Sequence, residues 1–173
     1  MTVYEQSDYI VSDGNRLHLN IWRHEDARSV LLFIPGTGAH AAYYSEFLER
    51  LAAQRFTVVG LDLRGHGKSD GIRGDFSFGE LLDDVDSAVA YITEHFTRNI
   101  GVFGSSQGGL LTLYAAARND VIRSVVCHNA AYLPRDAAEC TRAPRLFSAS
   151  MPLFVFLARI LPSLRLPTTT YLD

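Results

Sequence analysis

The sequence predicts an α/β domain: a mostly parallel sheet, opened by an antiparallel N-terminal hairpin, with helices on both faces. Three observations point there. Asp13-Gly14 lies between two strand-like runs, a strong signal for a tight hairpin. Beyond it, continuously apolar runs such as Val30 to Ile34 alternate with stretches of helical periodicity, the pattern of strands covered on both faces and joined by right-handed crossovers. Finally, a G-x-S-x-G pentapeptide, Gly104 to Gly108, stands between a predicted strand and a predicted helix.

The elements follow in order. Tyr9 to Val11 and Leu17 to Trp22 form the hairpin strands. In the second, Leu17, Leu19 and Ile21 alternate with His18, Asn20 and Trp22, which predicts one packed face and one wetter face. Val30 to Ile34 is a buried strand that stops at Pro35-Gly36-Thr37-Gly38. Phe47, Leu48, Leu51 and Ala52 then recur at helical spacing, predicting a helix from about Tyr43 to Gln54, and Phe56 to Leu61 is the next buried strand. A polar loop, Asp62 to Gly71, leads to Ser77-Phe78-Gly79-Glu80, the signature of a capping box. The helix it starts runs to about Phe96, with Leu81, Leu82, Val85, Val89 and Ile92 inward and Asp83, Asp84 and Asp86 toward water. Ile100 to Phe103, Gln107 to Ala117 and Ile122 to Cys127 complete a strand, a helix and a strand. From Leu133 the regularity weakens, and five of the six prolines fall there. Residues 1–132 therefore read as the core and 133–173 as a lid or cap segment, whose apolar Met151 to Leu166 could cover a pocket, meet a partner or rest on a lipid surface.

Composition narrows the function. The 173 residues are 47% apolar and 20% charged, and 16 basic residues against 19 acidic ones leave a formal charge of −3, with no basic track for nucleic acid. Cys127 and Cys140 offer neither a disulfide framework nor paired zinc ligands, and no metal site is expected. The polar stretch Met1 to Asp8 does not read as a leader, and no apolar run reaches the roughly 18 to 20 residues that span a bilayer, so a cytoplasmic location without a transmembrane segment is expected.

The chemistry centres on Ser106. In a strand-to-helix turn of this kind the serine is a nucleophile held at the helix N-terminus, where the N–H of Gln107 and the positive end of the helix face developing negative charge. Gly104 and Gly108 stand where a Cβ would collide, and Gly109 lets the helix pack closely on the sheet. The alternative is a serine in an ordinary glycine-rich turn. An acyl-transfer site needs a second oxyanion donor from the earlier strand-to-helix loop, and Thr37 is the candidate, against the alternative of a plain turn. His40 and His128 are candidate pocket residues. In the Asp62 to Gly71 loop, Arg64 and Asp62 are expected to fix a turn by hydrogen bonds; His66 is not expected to act as a base, which needs hydrogen-bond reach to Ser106.

Gly36-Thr37-Gly38-Ala39-His40, the run Asp62-Leu63-Arg64-Gly65-His66-Gly67-Lys68-Ser69-Asp70-Gly71, and Gly104-Ser105-Ser106-Gln107-Gly108-Gly109 together resemble the α/β-hydrolase superfamily. The likeness is to its monoacylglycerol lipase and lysophospholipase-like branch, the serine aminopeptidase S33 group, and it covers nearly the whole chain. It implies hydrolysis of a small-molecule ester or lipid ester through an acyl-enzyme, without a cofactor. Pro35 stands where that family usually has His, and Ser105 and Gln107 stand where it has His and Met, changes that bear on substrate preference more than on reaction type.

A serine hydroxyl needs a base, normally oriented by a carboxylate, and in this fold the chain order is serine, acid, histidine. His18, His24, His40, His66 and His95 precede Ser106, and only His128 follows. Asp120 lies between them, but a helix of about 11 residues carries it roughly 16 Å away. Asp136 and Glu139 would orient His128 only in an unfamiliar arrangement. The resemblance implies that acid and base sit after two further strands, beyond the cap, whereas the sequence ends at Thr170-Tyr171-Leu172-Asp173. The expectation is therefore the N-terminal portion of a serine hydrolase, completed by a C-terminal half or a complementing chain, with Ile122 to Cys127 as an open sheet edge. The alternative is a catalytically inactive binding or regulatory module on the same fold.

Overall fold

The computed structural model describes residues 3–130 and, beyond them, Leu153, Phe156 and Ile160. In chain order the elements are β1 (Val3–Ser12), β2 (Asn15–His24), β3 (Val30–Ile34), a 3-10 turn (Ala41–Tyr44), α1 (Ser45–Ala52), β4 (Thr57–Leu61), α2 (Phe78–His95), β5 (Ile100–Ser105), α3 (Gln107–Arg118) and β6 (Ile122–His128). They build a six-stranded sheet in the order β1-β2-β4-β3-β5-β6. The hairpin β1-β2 is antiparallel and closes on Asp13 and Gly14, both at positive φ, as the predicted two-residue turn demands. β2 joins β4 antiparallel, and β4, β3, β5 and β6 run parallel.

Alternation along the strands divides the core between two faces. Leu17, Leu19, Leu32, Ile34, Val59 and Leu61 pack with Leu81, Val85 and Ile92 of α2 and Leu111 of α3; Trp22, Phe33 and Val58 pack with Leu48 and Ala52 of α1. β2 is thus covered on both sides, which corrects the wetter face expected of it: His18, Asn20 and Trp22 are all buried. Trp22 belongs to the α1 core, while His18 and Asn20 turn to a buried carboxylate, Asp62.

Two further expectations are corrected. The helix predicted from Tyr43 begins instead as a 3-10 turn pressed on the sheet, where a Cβ on Gly60 would stand 2.6 Å from Ala41 Cβ. The capping box of Ser77 and Glu80 starts α2 as predicted, but Asp84 does not face water. It is fully buried because Arg64 reaches in to pair with it, Nη2 to Oδ1 at 2.6 Å and Nε to Oδ2 at 2.9 Å. Asp83 and Asp86 stay nearer solvent, where Arg118 pairs with both.

β6 forms the far edge of the sheet among the described residues, and its Val125 and Val126, on opposite faces, are both exposed. The chain divides into two units, Met1–Tyr132 and Leu133–Asp173. In the second, Leu153, Phe156 and Ile160 are helical and exposed; the remainder of the expected cap, with Asp136 and Glu139, lies outside the described residues. No described helix is long and apolar enough to cross a membrane.

Candidate active site

β5 delivers Ser105 to the end of the sheet and α3 starts at Gln107, leaving Ser106 to turn the chain within one residue. Its backbone sits at φ 54°, ψ −117°, a conformation that costs a non-glycine residue of order 1–3 kcal/mol. Hydrogen bonds hold it there: the Ser106 N–H donates to the His128 carbonyl at 3.0 Å, and the Ser106 carbonyl accepts from the N–H of Gly109 at 3.0 Å. The serine side chain does not cap the helix it precedes, so the hydroxyl is not consumed by the usual role of a serine in that position.

Main-chain atoms crowd the glycines on either side of the turn. A Cβ on Gly104 would run into the Gly108 carbonyl, and a Cβ on Gly108 would run into the Ile34 carbonyl. Gly109 has more room than these two, but it still lies close to the chain leaving β6, where its Cβ would come 3.0 Å from that of Ala130.

The loop after β3 closes the other side of the site. A Cβ on Gly36 would lie 3.1 Å from Ser106 Cβ, so glycine lets this loop come near the turn without pressing on the serine. Thr37, next along, donates from Oγ1 to Gln107 Oε1 at 3.2 Å. The structure therefore brings Ser106, Thr37 and Gln107 together. Among the described residues, neither the N–H of Thr37 nor that of Gln107 donates a hydrogen bond; Gln107 is the first residue of α3, where helical N–H groups have no intrahelical acceptor. Amides at a helix N-terminus that have no acceptor among the described residues are groups of the kind that can receive a developing negative charge.

The histidines take other positions. His128 Nδ1 lies 3.4 Å from Ser105 Oγ, on the neighbouring serine, and the ring is exposed at the end of β6. The His40 ring lies tilted against that of Tyr43, with ring centroids 4.0 Å apart, at the start of the 3-10 turn. No histidine ring among the described residues is hydrogen-bonded to Ser106, and these residues contain no cluster of His, Cys, Asp and Glu able to hold a metal.

The loop after β4 does more than fix its own turn. Asp62, buried, accepts from His18 Nδ1 at 3.0 Å, the N–H of Lys68 at 3.2 Å and the N–H of Ala41 at 2.8 Å, the last of these in the segment that follows Thr37. Gly67 is required beside it, since a Cβ there would meet the carboxylate. Arg64 is held on Asp84, Glu80 and Asp13, and hydrogen bonding to Asp84 pushes its guanidinium further above its ordinary range. Glu80 is drawn below the ordinary carboxylate range, chiefly by the N–H and hydroxyl of Ser77 and then by Arg64. Sequence reasoning missed that this loop grips the Thr37 loop. No residue pairing signals it, because Asp62 and His66 reach main-chain groups of Ala41 and Gly38.

Residues 25–172 match the family described as serine aminopeptidase, S33. The 2-(acetamidomethylene)succinate hydrolase of Mesorhizobium japonicum is 30% identical over 69% of this chain and 43% of its own length. The monoacylglycerol lipase of Mycolicibacterium smegmatis is 32% identical over 61% of this chain and 39% of its own. Among solved structures, Est1E from Butyrivibrio proteoclasticus with ferulic acid bound superposes with a TM-score of 0.65 at 28% identity, over 69% of this chain and 51% of that one. The chain thus spans less than half the length of these two curated relatives.

Proposed function

Since the chain belongs to the serine aminopeptidase S33 family of α/β hydrolases, we propose that it carries the nucleophile and oxyanion donors of a hydrolase of carboxylic esters, acting through an acyl-enzyme on Ser106. The observation that carries this reading is the strained backbone of Ser106 between β5 and α3, with Gly36 drawn against it. Ser106 Oγ attacks the ester carbonyl. The amides of Thr37 and Gln107 receive the charge that develops on the carbonyl oxygen, the alcohol leaves, and water then hydrolyses the acyl-enzyme. The base that takes the serine proton, and the carboxylate that orients it, belong to residues outside those described; the matched relatives extend well past the shared length.

The substrate class we propose is a monoacylglycerol-like or lysophospholipid-like ester. Support comes from the lipase among the relatives and from the apolar, exposed Leu153, Phe156 and Ile160 of the second unit, which we propose is a cap.

Steady-state and burst kinetics on p-nitrophenyl esters with the full-length protein test this. Hydrolysis with a stoichiometric burst, lost in Ser106→Ala, is expected. A folded full-length protein that hydrolyses no ester, or a Ser106→Ala variant as fast as the parent, overturns it, the former in favour of a binding or regulatory module.

A further inference from the structure

The Thr37 loop is held by the loop after β4 at three backbone groups. His66 Nε2 lies 3.3 Å from the N–H of Gly38, Arg73 Nη2 donates to the Gly38 carbonyl at 2.9 Å, and Asp62 Oδ1 accepts from the N–H of Ala41 at 2.8 Å. The first two restrain successive peptide planes. His66 restrains the Thr37–Gly38 plane through its N–H. Arg73 restrains the Gly38–Ala39 plane, whose own N–H donates to the Gly36 carbonyl at 3.1 Å. That carbonyl shares a plane with the Thr37 N–H, so fixing it fixes the direction of the Thr37 amide on the opposite side.

We infer that His66 is a positioning residue, whose neutral Nε2 aims the Thr37 amide at the oxyanion by holding Gly38. This rests on the reading of Thr37 as an oxyanion donor. Both partners of the ring agree on its form. Nδ1 lies 2.9 Å from the Arg64 carbonyl and must carry the proton, while Nε2 faces an N–H and must present its lone pair. The ring has no freedom to answer otherwise: His66 is buried, and Phe76 packs against it with centroids 5.7 Å apart. Arg64 is itself immobilised on the buried Asp84, so the chain of contacts runs from the core of α2 to the rim of the site. A donor that is already aimed needs no reorganisation when charge appears, which is where most of its catalytic value lies.

Two substitutions separate this role from general loop stability. In His66→Gln the amide oxygen reaches the place of Nε2 and can still accept from Gly38. In His66→Asn the amide nitrogen takes the place of Nδ1 and still donates to the Arg64 carbonyl, but nothing reaches Gly38. With full-length protein and p-nitrophenyl butyrate, His66→Asn is expected to lose on the order of tenfold to a hundredfold in kcat with KM nearly constant, and His66→Gln to recover most of that loss. Equal kcat in His66→Asn and the parent, a loss carried by KM, or rescue by Asn instead of Gln overturns the inference. If Ser106→Ala hydrolyses the ester as fast as the parent, it is the reading of the site that fails. Should His66→Asn not fold, long-range nitrogen-15 spectra of the imidazoles in the parent decide: the Nδ1–H tautomer of His66 is expected, and an Nε2–H tautomer contradicts it.

Discussion

Thr37 Oγ1 donates a 3.2 Å hydrogen bond to Gln107 Oε1, so the two residues proposed to supply the oxyanion amides are tied to each other by their side chains. The bond joins the loop after β3 to the first turn of α3 and keeps the two amides in one relation. Thr37→Val or Gln107→Met removes about 1 kcal/mol of that tie, roughly fivefold in kcat/KM for ester hydrolysis. The double variant is expected to lose less than the sum, because both changes break the same bond. Thr37→Ser, which keeps the hydroxyl, should stay close to the parent.

Asp84 and Arg64 make the second test, by urea denaturation. Asp84→Asn leaves a buried guanidinium facing a neutral amide and is expected to cost about 3 kcal/mol or more, even though Glu80 and Asp13 remain. Arg118→Ala removes two ion pairs that are open to water and should cost less than about 1 kcal/mol.

Glycine substitutions should divide by what surrounds them. Gly108→Ala drives a methyl group into the Ile34 carbonyl and 2.5 Å from the Pro35 carbonyl, both main-chain atoms, and is expected to prevent recovery of folded protein. Gly38→Ala meets open space and only the strain of a positive φ, so it should fold with a loss of about 1 kcal/mol, read from the shift in the urea midpoint.

Asp8 and Tyr91 predict the pH dependence of stability. The Tyr91 hydroxyl donates to Asp8 Oδ2 at 2.6 Å and, together with the N–H of Tyr9, holds the carboxyl below its ordinary range; burial, then Asp8, raises the phenol. A lowered carboxyl contributes stability that is present above its unfolded value, near 4, and is lost as pH falls through the folded one. A raised phenol contributes stability that is present below its unfolded value, near 10, and is lost as pH rises through its folded one. Asp8→Asn should flatten the acid limb of Tm against pH, and Tyr91→Phe should flatten both limbs.

Much of the scaffold was legible in the sequence because local signals and burial agreed. The hairpin turn at Asp13-Gly14, the capping box at Ser77 and the apolar runs of β3 to β5 each have a short-range cause. The placement of Ser106 was legible for the same reason, since a strand, a tight turn and a helix are local events. The residues that sequence reasoning misplaced, His18, Asn20 and Asp84, are polar groups buried by partners more than 15 residues away. Periodicity assigns such groups to water, and only the fold supplies the charge or carboxylate that keeps them inside. The hold of His66 on Gly38 is similar: 28 residues separate them, and the bond goes to the main chain, so no pairing of residue types announces it.

The most direct measurement is peptide mapping of full-length protein after reaction with a fluorophosphonate. The expected result is one adduct per chain on the peptide containing Ser106, absent in Ser106→Ala. A folded protein that takes up no label, or one labelled equally after Ser106→Ala, contradicts the assignment of Ser106 as the nucleophile.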